Sequence, residues 1–294
     1  MLWRSALMID PVASEDRRHD FSDTFTVIDP AAPALRVGDL SAQRGDGVFE
    51  SLGVVDGHVQ EIEPHLARLA HSARLCDLRT PHLDQWRAAI ERVAAEAGPG
   101  ENVVKLILSR GIEHGPAPTA WITLAEAPDS ARARTEGVRV ATLDRGYASD
   151  VPERAPWLLL GAKTLSYAVN MAAIREAKRR GADDAVFVTS DGFVLEAPTA
   201  SIVLRLDGRF VTPTPSAGIL HGTTQRSLFA FLERRGFGTD YATVPAEDLV
   251  RADAAWLLSS VRLAAPISAV DGRERAVDRT LTDEINAYLL SPRG

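Results

Sequence analysis

The stretch Gly161-Ala162-Lys163-Thr164-Leu165-Ser166-Tyr167 holds one of only three lysines in the chain. The other two are Lys105 and Lys178, and all three stand against thirty arginines among 33 basic residues. Guanidinium stays protonated, so arginine cannot replace a lysine whose amine must lose its proton and attack a carbonyl carbon. Each lysine is therefore a candidate nucleophile for a Schiff base.

The sequence around each lysine separates the three candidates. Lys178 lies in the charged last turn of a predicted helix, where a solvated cation is the ordinary interpretation. Lys105 falls in an apolar run over residues 103–108, which predicts a strand and allows a partly buried structural amine. Lys163 follows a Gly-Ala pair that lets another group approach closely, and it precedes a predicted helix. Spacing alone gives equal weight to two interpretations of Lys163, a catalytic lysine and an ordinary surface lysine.

Two further groups follow Lys163 in the chain. Glu196 comes after Phe193-Val194-Leu195 and outside any charge run, and Gly218-Ile219-Leu220-His221-Gly222-Thr223-Thr224 leads into a predicted helix over residues 225–235. Glycines let a backbone approach a phosphate, which helix N–H groups and threonine hydroxyls then bind. An isolated Gly-Thr-Thr is more often a plain helix N-cap. In this order, however, a lysine, an acid and a phosphate site are what a pyridoxal phosphate enzyme needs.

The chain resembles the class IV (fold-type IV) pyridoxal phosphate family. That family contains branched-chain aminotransferases, D-amino acid aminotransferases and 4-amino-4-deoxychorismate lyases. The resemblance spans roughly residues 35–265, in the family's order, and leaves residues 1–30 uncovered. The segments that carry it are Arg44-Gly45-Asp46-Gly47-Val48-Phe49-Glu50, His65-Leu66-Ala67-Arg68-Leu69, Lys105-Leu106-Ile107-Leu108-Ser109-Arg110-Gly111, and residues 161–177, 183–202 and 218–226.

The resemblance implies a fold and an assembly. The expected class is α+β or α/β, in a two-domain fold-type IV enzyme similar to D-amino acid aminotransferase. A small N-terminal α/β domain over residues 1–150 would be followed by a proline-containing connector over residues 151–160. A larger C-terminal domain of pseudo-barrel form, which binds the cofactor, would cover residues 161–294. The resemblance also implies a homodimer.

The resemblance assigns roles to individual residues. Lys163 would hold pyridoxal 5′-phosphate as an aldimine, and Glu196 would keep its ring nitrogen protonated, since an ionised carboxylate favours a nearby cation. Arg68 lies roughly opposite the apolar stripe of its predicted helix, which alone indicates a solvated arginine. The residues expected to bind the cofactor are Arg68, Lys163, Glu196, Leu220, Thr223 and Thr224, and those expected to bind substrate are Phe49, Arg110 and Arg262.

Which member of the family this is depends on smaller differences. D-amino acid enzymes commonly carry Arg-x-His after the third strand, whereas His114 here has no arginine two positions before it. Branched-chain enzymes usually have a Gly-Thr-Ala-like turn where this chain has Ser260-Val261-Arg262, so the threonine hydroxyl is missing. The family's Pro-Gly-x-Thr-Arg is also replaced, by His221-Gly222-Thr223-Thr224-Gln225.

By elimination, the sequence favours 4-amino-4-deoxychorismate lyase, which releases pyruvate and leaves p-aminobenzoate for folate synthesis. A class IV aminotransferase for D- or branched-chain amino acids is the alternative. A binding protein that has kept the fold without the chemistry is the third hypothesis, but it would need Lys163 or Glu196 to be lost.

Composition narrows the classes of protein. A chain of 294 residues has ample core, and a net charge of −7 without a basic run argues against nucleic acid as a partner. No window approaches the ~20 apolar residues of a membrane span. The scattered histidines form no metal-binding pattern, and the single Cys76, on an apolar helix face, is expected to be a small core residue. Together with a start that lacks the form of a signal peptide, this predicts a cytoplasmic enzyme with a small-molecule substrate.

Periodicity and turn signals predict the regular elements. Residues 1–34 are expected to form a short strand or a poorly ordered arm. Thr80 is expected to cap the second helix, and a strand over residues 137–143 is expected to complete the first α/β unit. The remaining expected helices cover residues 64–75, 83–97, 167–180 and 281–290, and the strands cover residues 48–55, 103–109, 120–125, 185–189, 193–195, 202–206, 210–211 and 254–258.

Overall fold

The computed structural model describes residues 2–293, which form two compact units. The first unit comprises the chain up to Pro128, the short segment Ala162–Tyr167 and the C-terminal residues from Pro292. The second unit comprises Asp129–Gly161 and Ala168–Ser291. Lys163 therefore belongs to the first unit, although most of the chain around it belongs to the second.

The first unit contains an antiparallel sheet and the helices packed on it. Its elements are β1 Trp3–Ile9, β2 Phe25–Val27, α1 Leu40–Gln43, β3 Gly47–Val55, β4 His58–Val59, α2 Ile62–Leu75, α3 Leu83–Ala94, β5 Glu101–Ser109 and β6 Thr119–Glu126. Within the described residues, the strand order is β2-β1-β6-β5-β3-β4. Each of β3, β5 and β6 pairs along its length with its neighbour, so β5 lies at the centre.

Strands β3 and β4 form a hairpin, and the two helices predicted for this unit are confirmed, with changes at their ends. The strands turn at Asp56 and Gly57, both of which have positive φ, as this turn requires. Helix α3 begins at Leu83, as predicted, and ends at Ala94, but its N-cap is His82, whose Nδ1 accepts from the Gln85 N–H at 3.3 Å. The prediction of Thr80 as the cap is wrong, because the His82 ring is held there by a 2.8 Å hydrogen bond to the Asp16 carbonyl.

The N-terminal residues form more regular structure than the sequence indicated. Strand β1 pairs with β6 on one side and with β2 on the other, and Ala6 and Leu7 are buried. Of the two alternatives expected here, the short strand is therefore confirmed over Trp3–Ile9, and the poorly ordered arm is wrong for this stretch. A strand that occupies an inner position of a sheet needs neither long alternation nor strong β propensity of its own, because its neighbours determine its pairing.

The second unit contains a mixed sheet and the helices that cover it. Its elements are α4 Ala131–Thr135, β7 Val138–Asp144, α5 Val151–Arg154, α6 Ala168–Arg179, β8 Asp184–Val188, β9 Ser201–Leu206, β10 Arg209–Pro213, α7 Thr223–Arg234, β11 Thr239–Ala242, α8 Ala246–Arg251, β12 Ala254–Ser259, β13 Leu263–Val270, β14 Arg273–Glu274 and α9 Arg279–Leu290. In the described chain the strand order is β11-β10-β9-β12-β13-β7-β8, with β14 paired to β13.

Strand β7 was expected in the first unit but lies in the second sheet, between β13 and β8 and parallel to both. A strand's own residues predict that it is a strand and not which partner it takes, so this placement could not be derived from its composition. Met1 and Gly294, the outer limits of the predicted domains, lie outside the described residues. The domain limits at residues 150 and 161 stay a prediction.

Two of the apolar clusters in the second unit lie on opposite faces of its sheet. Trp256 is fully buried in one cluster with α7 and α9, and its indole N–H donates to Thr282 Oγ1 at 2.8 Å. Leu257, the next residue, is buried in the other cluster with α8. This alternation is the period of two expected for a strand covered on both faces. No helix within residues 2–293 has the length and apolar character needed to cross a membrane.

Leu69 allows a direct test of the core of the first unit. Its side chain is fully buried on α2, whereas Leu75 of the same helix is 39% exposed. We expect Leu69→Ala to lower the free energy of unfolding by about 2–5 kcal/mol, because it leaves a cavity that the surroundings fill incompletely. We expect Leu75→Ala to change it by about 0.5 kcal/mol or less. Urea titration of both apo-proteins measures this, and equal losses would contradict the packing described.

Candidate functional site

Backbone hydrogen bonds to β3 hold Lys163. The Phe49 N–H donates to the Lys163 carbonyl at 3.0 Å, and the Leu165 N–H donates to the Gly47 carbonyl at 2.8 Å. The Lys163 N–H donates to Ser72 Oγ of α2 at 3.1 Å. The lysine backbone is therefore fixed from two sides, by the strand and by the helix.

Gly47 is required for this close approach. A Cβ at this position would lie 2.7 Å from the Leu108 carbonyl oxygen and 2.7 Å from Leu165 Cδ1. The contact with Leu165 involves only the end of a flexible side chain, whereas the contact with the Leu108 carbonyl would force β3 and β5 apart. Glycine therefore keeps β3 in the position from which it pairs with the Lys163 segment. The second glycine of the Gly45-Asp46-Gly47 run thus has a packing role beside the lysine.

Two lysine ammonium groups lie over the ring of Phe49. Lys163 Nζ lies 4.5 Å and Lys105 Nζ lies 4.9 Å from its centroid, distances at which a cation is attracted to an aromatic ring. Tyr167 meets the same ring edge-on, with centroids 5.4 Å apart. The structure thus brings Phe49, a predicted substrate ligand, beside Lys163, the predicted catalytic lysine.

Lys105 is a residue that sequence analysis treated as structural. It is exposed on β5, on the sheet face that also carries Phe49, since cross-strand partners point to the same side. The residues around the ammonium keep part of the water away from it, and this desolvation lowers the pKa of Lys105. Among the described residues its ammonium has no hydrogen bond or ion pair. Its only signal in the sequence was the rarity of lysine.

Arg68 is not the solvated arginine that its helix position indicated. Its Nε and Nη2 donate to the two oxygens of Glu50, each at 2.7 Å, and Glu50 is fully buried. His65, one turn earlier on α2, contacts the same carboxylate through Nδ1 at 2.8 Å. A helical wheel cannot reveal this cluster, because the carboxylate comes from β3 and not from the helix.

Arg110 is engaged within the first unit. Its Nε donates to Asp46 Oδ2 at 2.7 Å, and its two Nη groups donate to Asp46 and to the carbonyls of Cys76 and Asp77. Its role as a substrate ligand stays a prediction. Cys76 itself, the C-cap of α2, is buried, as expected for a small core residue, and burial raises the pKa of its thiol. A thiol that its raised pKa keeps protonated is a poor nucleophile.

Glu196 lies in the second unit, beside β8. Its carbonyl accepts from the Phe187 N–H at 2.9 Å, and its carboxylate accepts from the Leu220 N–H at 3.2 Å. Phe193 and Val194, which precede it, form isolated bridges and not the regular strand predicted for them. Leu220 therefore reaches the candidate acid through its backbone, a contact that its apolar side chain did not indicate.

The start of α7 gathers three hydroxyl groups. The helix begins at Thr223, two residues earlier than predicted, so Thr223 and Thr224 form its first turn. Ser260 Oγ lies 3.3 Å from the hydroxyl of each threonine. Ser260 follows β12, at the turn where sequence analysis had found the threonine hydroxyl missing. Ser260 supplies a hydroxyl at this turn, although the threonine usual in branched-chain enzymes is missing.

The N-cap of α7 is Gly222, which has no side chain with which to cap the helix. A Cβ at this position would collide with Ser201 Oγ, so a larger residue would force the Ser201 side chain to move. The N–H groups of a helix start favour negative charge, and hydroxyls beside them donate to anion oxygens. This arrangement can bind a phosphate.

Arg262 has unused donors. Its Nη1 donates to Asp184 Oδ2 at 2.8 Å, while its buried Nε and Nη2 have no hydrogen-bond partner among the described residues. Arg134 holds the turn by donating to the carbonyls of Val261 and Arg262. Of the arginines predicted to bind substrate, Arg262 is therefore the one with donor capacity left.

The chemistry available in the two units is an amine beside an aromatic ring, a carboxylate held by a backbone N–H, and a hydroxyl-lined helix start. Within residues 2–293, no group of three or more His, Cys, Asp or Glu side chains is placed to hold a metal ion. The structure assigns Lys163, Phe49, Arg68 and Arg110 to the first unit, and Glu196, Leu220, Thr223, Thr224 and Arg262 to the second.

Comparison with known proteins identifies the family of this chain. A family model described as amino-transferase class IV matches residues 47–270. A protein of Mycobacterium tuberculosis named bifunctional aminodeoxychorismate lyase / D-amino acid transaminase is 44% identical over 276 residues, which cover 90% of this chain and 94% of that one.

Two solved structures are similar over almost their whole length. A fold IV transaminase from Curtobacterium pusillum has 49% identity and a TM-score of 0.92, covering 98% of this chain and 99% of that one. The PLP-bound form of a hypothetical aminotransferase from Mycobacterium tuberculosis has 40% identity and a TM-score of 0.87, covering 97% of each chain.

Proposed function

Because this chain belongs to the amino-transferase class IV family, we propose that it is a 4-amino-4-deoxychorismate lyase with D-amino acid transamination as a second activity. The predictions of a fold-type IV protein, of an enzyme and of pyridoxal 5′-phosphate as its cofactor are confirmed. The roles of individual residues, and the choice between the two reactions, are the content of the proposal.

The donor set fits the cofactor. A phosphate needs N–H and hydroxyl donors, which the start of α7 offers with Thr223, Thr224 and Ser260. A pyridine nitrogen needs an acid, and the Glu196 carboxylate is oriented by the Leu220 N–H. An aldehyde needs an amine, which Lys163 supplies. Arg68 is assigned to the phosphate by the resemblance alone.

The cofactor, when bound, supplies an electron-withdrawing ring that stabilises negative charge at the substrate carbon bearing the amine. Lys163 holds the cofactor and then moves the proton at that carbon. Glu196 keeps a proton on the ring nitrogen, and Leu220 acts through Glu196 by fixing its carboxylate. Phe49 packs against the Lys163 ammonium and limits the directions in which the amine can point.

The observation that carries the choice of reaction is the name of the Mycobacterium tuberculosis relative, which couples the lyase and the D-amino acid transaminase. The sequence agrees with placing the lyase first, because the Arg-x-His pair common in D-amino acid enzymes is absent after Arg110. Transamination remains the second candidate, since the proton transfer at the substrate carbon needs the same lysine and acid in both reactions.

Lys105 supports an acidic substrate. The lyase products, pyruvate and p-aminobenzoate, each carry a carboxylate, so the substrate carries two. We propose that the Lys105 ammonium, exposed beside Phe49 and without an ion pair among the described residues, binds one of them. Arg262, whose buried Nε and Nη2 have no hydrogen-bond partner within residues 2–293, is the candidate for the other.

We further propose that the protein acts as a homodimer in the cytoplasm. The family resemblance supports the dimer, and the single cysteine, which can form no disulfide within the chain, fits a reducing compartment.

Reduction with borohydride tests the lysine. We expect it to fix the cofactor covalently on the peptide that contains Lys163, and Lys163→Ala to abolish the labelling. Lys105 is the sharpest internal control, because its lowered pKa makes its amine available as well. A label on Lys105 or Lys178, located by mass spectrometry of the digested protein, would refute the assignment.

Turnover without an oxo acid separates the two reactions. A lyase returns its cofactor to the starting form in every cycle, so aminodeoxychorismate alone should give many equivalents of pyruvate per site. A transaminase stops after one half-reaction until an oxo acid arrives. Lactate dehydrogenase coupled to NADH absorbance measures the pyruvate. If none forms, while a D-amino acid bleaches the cofactor and an oxo acid restores it, the lyase proposal is wrong.

Lys105→Met tests the substrate carboxylate. A hydrogen bond to a charged group is worth about 1.5–3 kcal/mol, so we expect KM for aminodeoxychorismate to rise about 10- to 100-fold. KM for D-alanine, which has one carboxylate and no distal one, should change little. Lys178→Met, at the exposed end of α6, is the matched control. Equal effects of Lys105→Met on both substrates would contradict the proposed contact.

A further inference from the structure

The cluster of Glu50, His65 and Arg68 is the most deeply buried set of ionisable groups on α2 and β3. Glu50 and His65 are fully buried, and the Arg68 side chain is 11% exposed. His65 and Arg68 are one helical turn apart, so both reach the same point on β3. There they meet the carboxylate of Glu50: Arg68 contacts both oxygens, and His65 contacts Oε2, the oxygen that also accepts from Arg68 Nη2.

The charges in this cluster are fixed by their neighbours. Burial by itself would raise the pKa of Glu50, but the Arg68 guanidinium and the hydrogen bonds from Arg68 and His65 outweigh it and lower the pKa. Burial lowers the pKa of His65, so the ring is neutral and its Nδ1–H donates to Glu50. The result is one anion, one cation and one neutral donor, with the carboxylate oxygens shared between them.

The contact with Glu50 fixes the orientation of the arginine. Nε and Nη2 lie along one edge of the planar guanidinium, and both are occupied by a single carboxylate. A bidentate contact of this kind sets the plane of the group as well as its position. The direction of the remaining edge, which carries Nη1, then follows from Glu50 and not from the flexible side chain.

Stability alone does not account for such a cluster. A buried ion pair is often no more stabilising than well-packed apolar residues of similar volume. The elements that form it, however, are the two that hold Lys163: β3 through the Phe49 N–H and α2 through Ser72. The charge of Lys163 also acts on His65 and lowers its pKa. The same frame thus carries the candidate catalytic lysine and the candidate phosphate ligand.

We propose that Glu50, supported by His65, is a positioning residue that aligns the Arg68 guanidinium to bind the cofactor phosphate. This inference rests on the proposed role of Arg68 and adds a residue that the family resemblance did not assign. Glu50 touches neither cofactor nor substrate and acts through Arg68.

Binding of two forms of the cofactor to apo-protein separates positioning from structural support. Pyridoxal 5′-phosphate carries the phosphate and pyridoxal lacks it, so only the former can use Arg68. Because hydrogen bonds to charged groups are the strong ones, we expect Glu50→Gln to weaken binding of the phosphorylated form about tenfold or more. Binding of pyridoxal should stay within about twofold, which is the ordinary effect of a substitution away from its contacts. Absorbance titration measures both affinities without turnover.

Two further variants guard the conclusion. Glu50→Asp keeps the charge and the fold but shortens the side chain, which displaces the contact with Arg68, so it should show the same selective loss in smaller degree. Glu61→Gln is the matched control, because it removes an ion pair with Arg293 at the residue that precedes α2, where both side chains are about as buried as Arg68. It should leave both affinities unchanged.

The outcomes distinguish failure of the inference from failure of the proposed function. Arg68→Met tests the phosphate role by itself: if it leaves the preference for the phosphorylated form intact, that role is wrong. If Arg68→Met removes the preference while Glu50→Gln and Glu50→Asp do not, the positioning role of Glu50 is overturned and the phosphate role stands. Equal losses of both ligands in the Glu50 variants, or wild-type affinities in both, would also overturn it.

Discussion

The antiparallel pairing of the Lys163 segment with β3 is the interaction on which the candidate residues of the first unit depend. It uses two backbone hydrogen bonds, at 3.0 Å and 2.8 Å, and it requires glycine at position 47. Successive residues of a strand point to opposite faces. Phe49 therefore faces the two ammonium groups, while Glu50, the next residue, faces His65 and Arg68 on α2.

Much of the site was predictable because it depends on residue types that few others can replace. A side-chain amine that attacks a carbonyl must belong to a lysine. Because thirty of the 33 lysines and arginines are arginines, only three positions had to be considered. The helix start at Thr223 was marked by glycine followed by hydroxyl residues, a local signal of capping. Lys163, Glu196 and the two threonines could therefore be selected without a structure, although their roles are proposals.

The site residues that could not be recognised from the sequence are those whose contacts are with residues far away in the chain. Arg68 looked solvated because its helix position was judged without Glu50, which lies 18 residues earlier on a strand. Ser260 lies 36 residues from Thr224, and the sequence of its turn showed only that the usual threonine is missing, not that the Ser260 hydroxyl lies beside Thr224. Lys105 looked structural because a strand's residues do not reveal which face is left open. The strand β13 had no predicted counterpart, and its position between β12 and β7 follows from tertiary pairing.

The discontinuity of the first unit has a consequence for its biosynthesis. The segment Ala162–Tyr167 and the residues from Pro292 reach the ribosome exit after the chain up to Pro128 has emerged. Until then, the edge of β3 near Val48 lacks its later partner Thr164, and Glu61 lacks Arg293. An unpaired strand edge is a template for association with other chains. The newly made first unit is therefore exposed to mispairing at this edge until residues 162–167 have emerged, and Glu61 gains Arg293 only after the second unit has been synthesised.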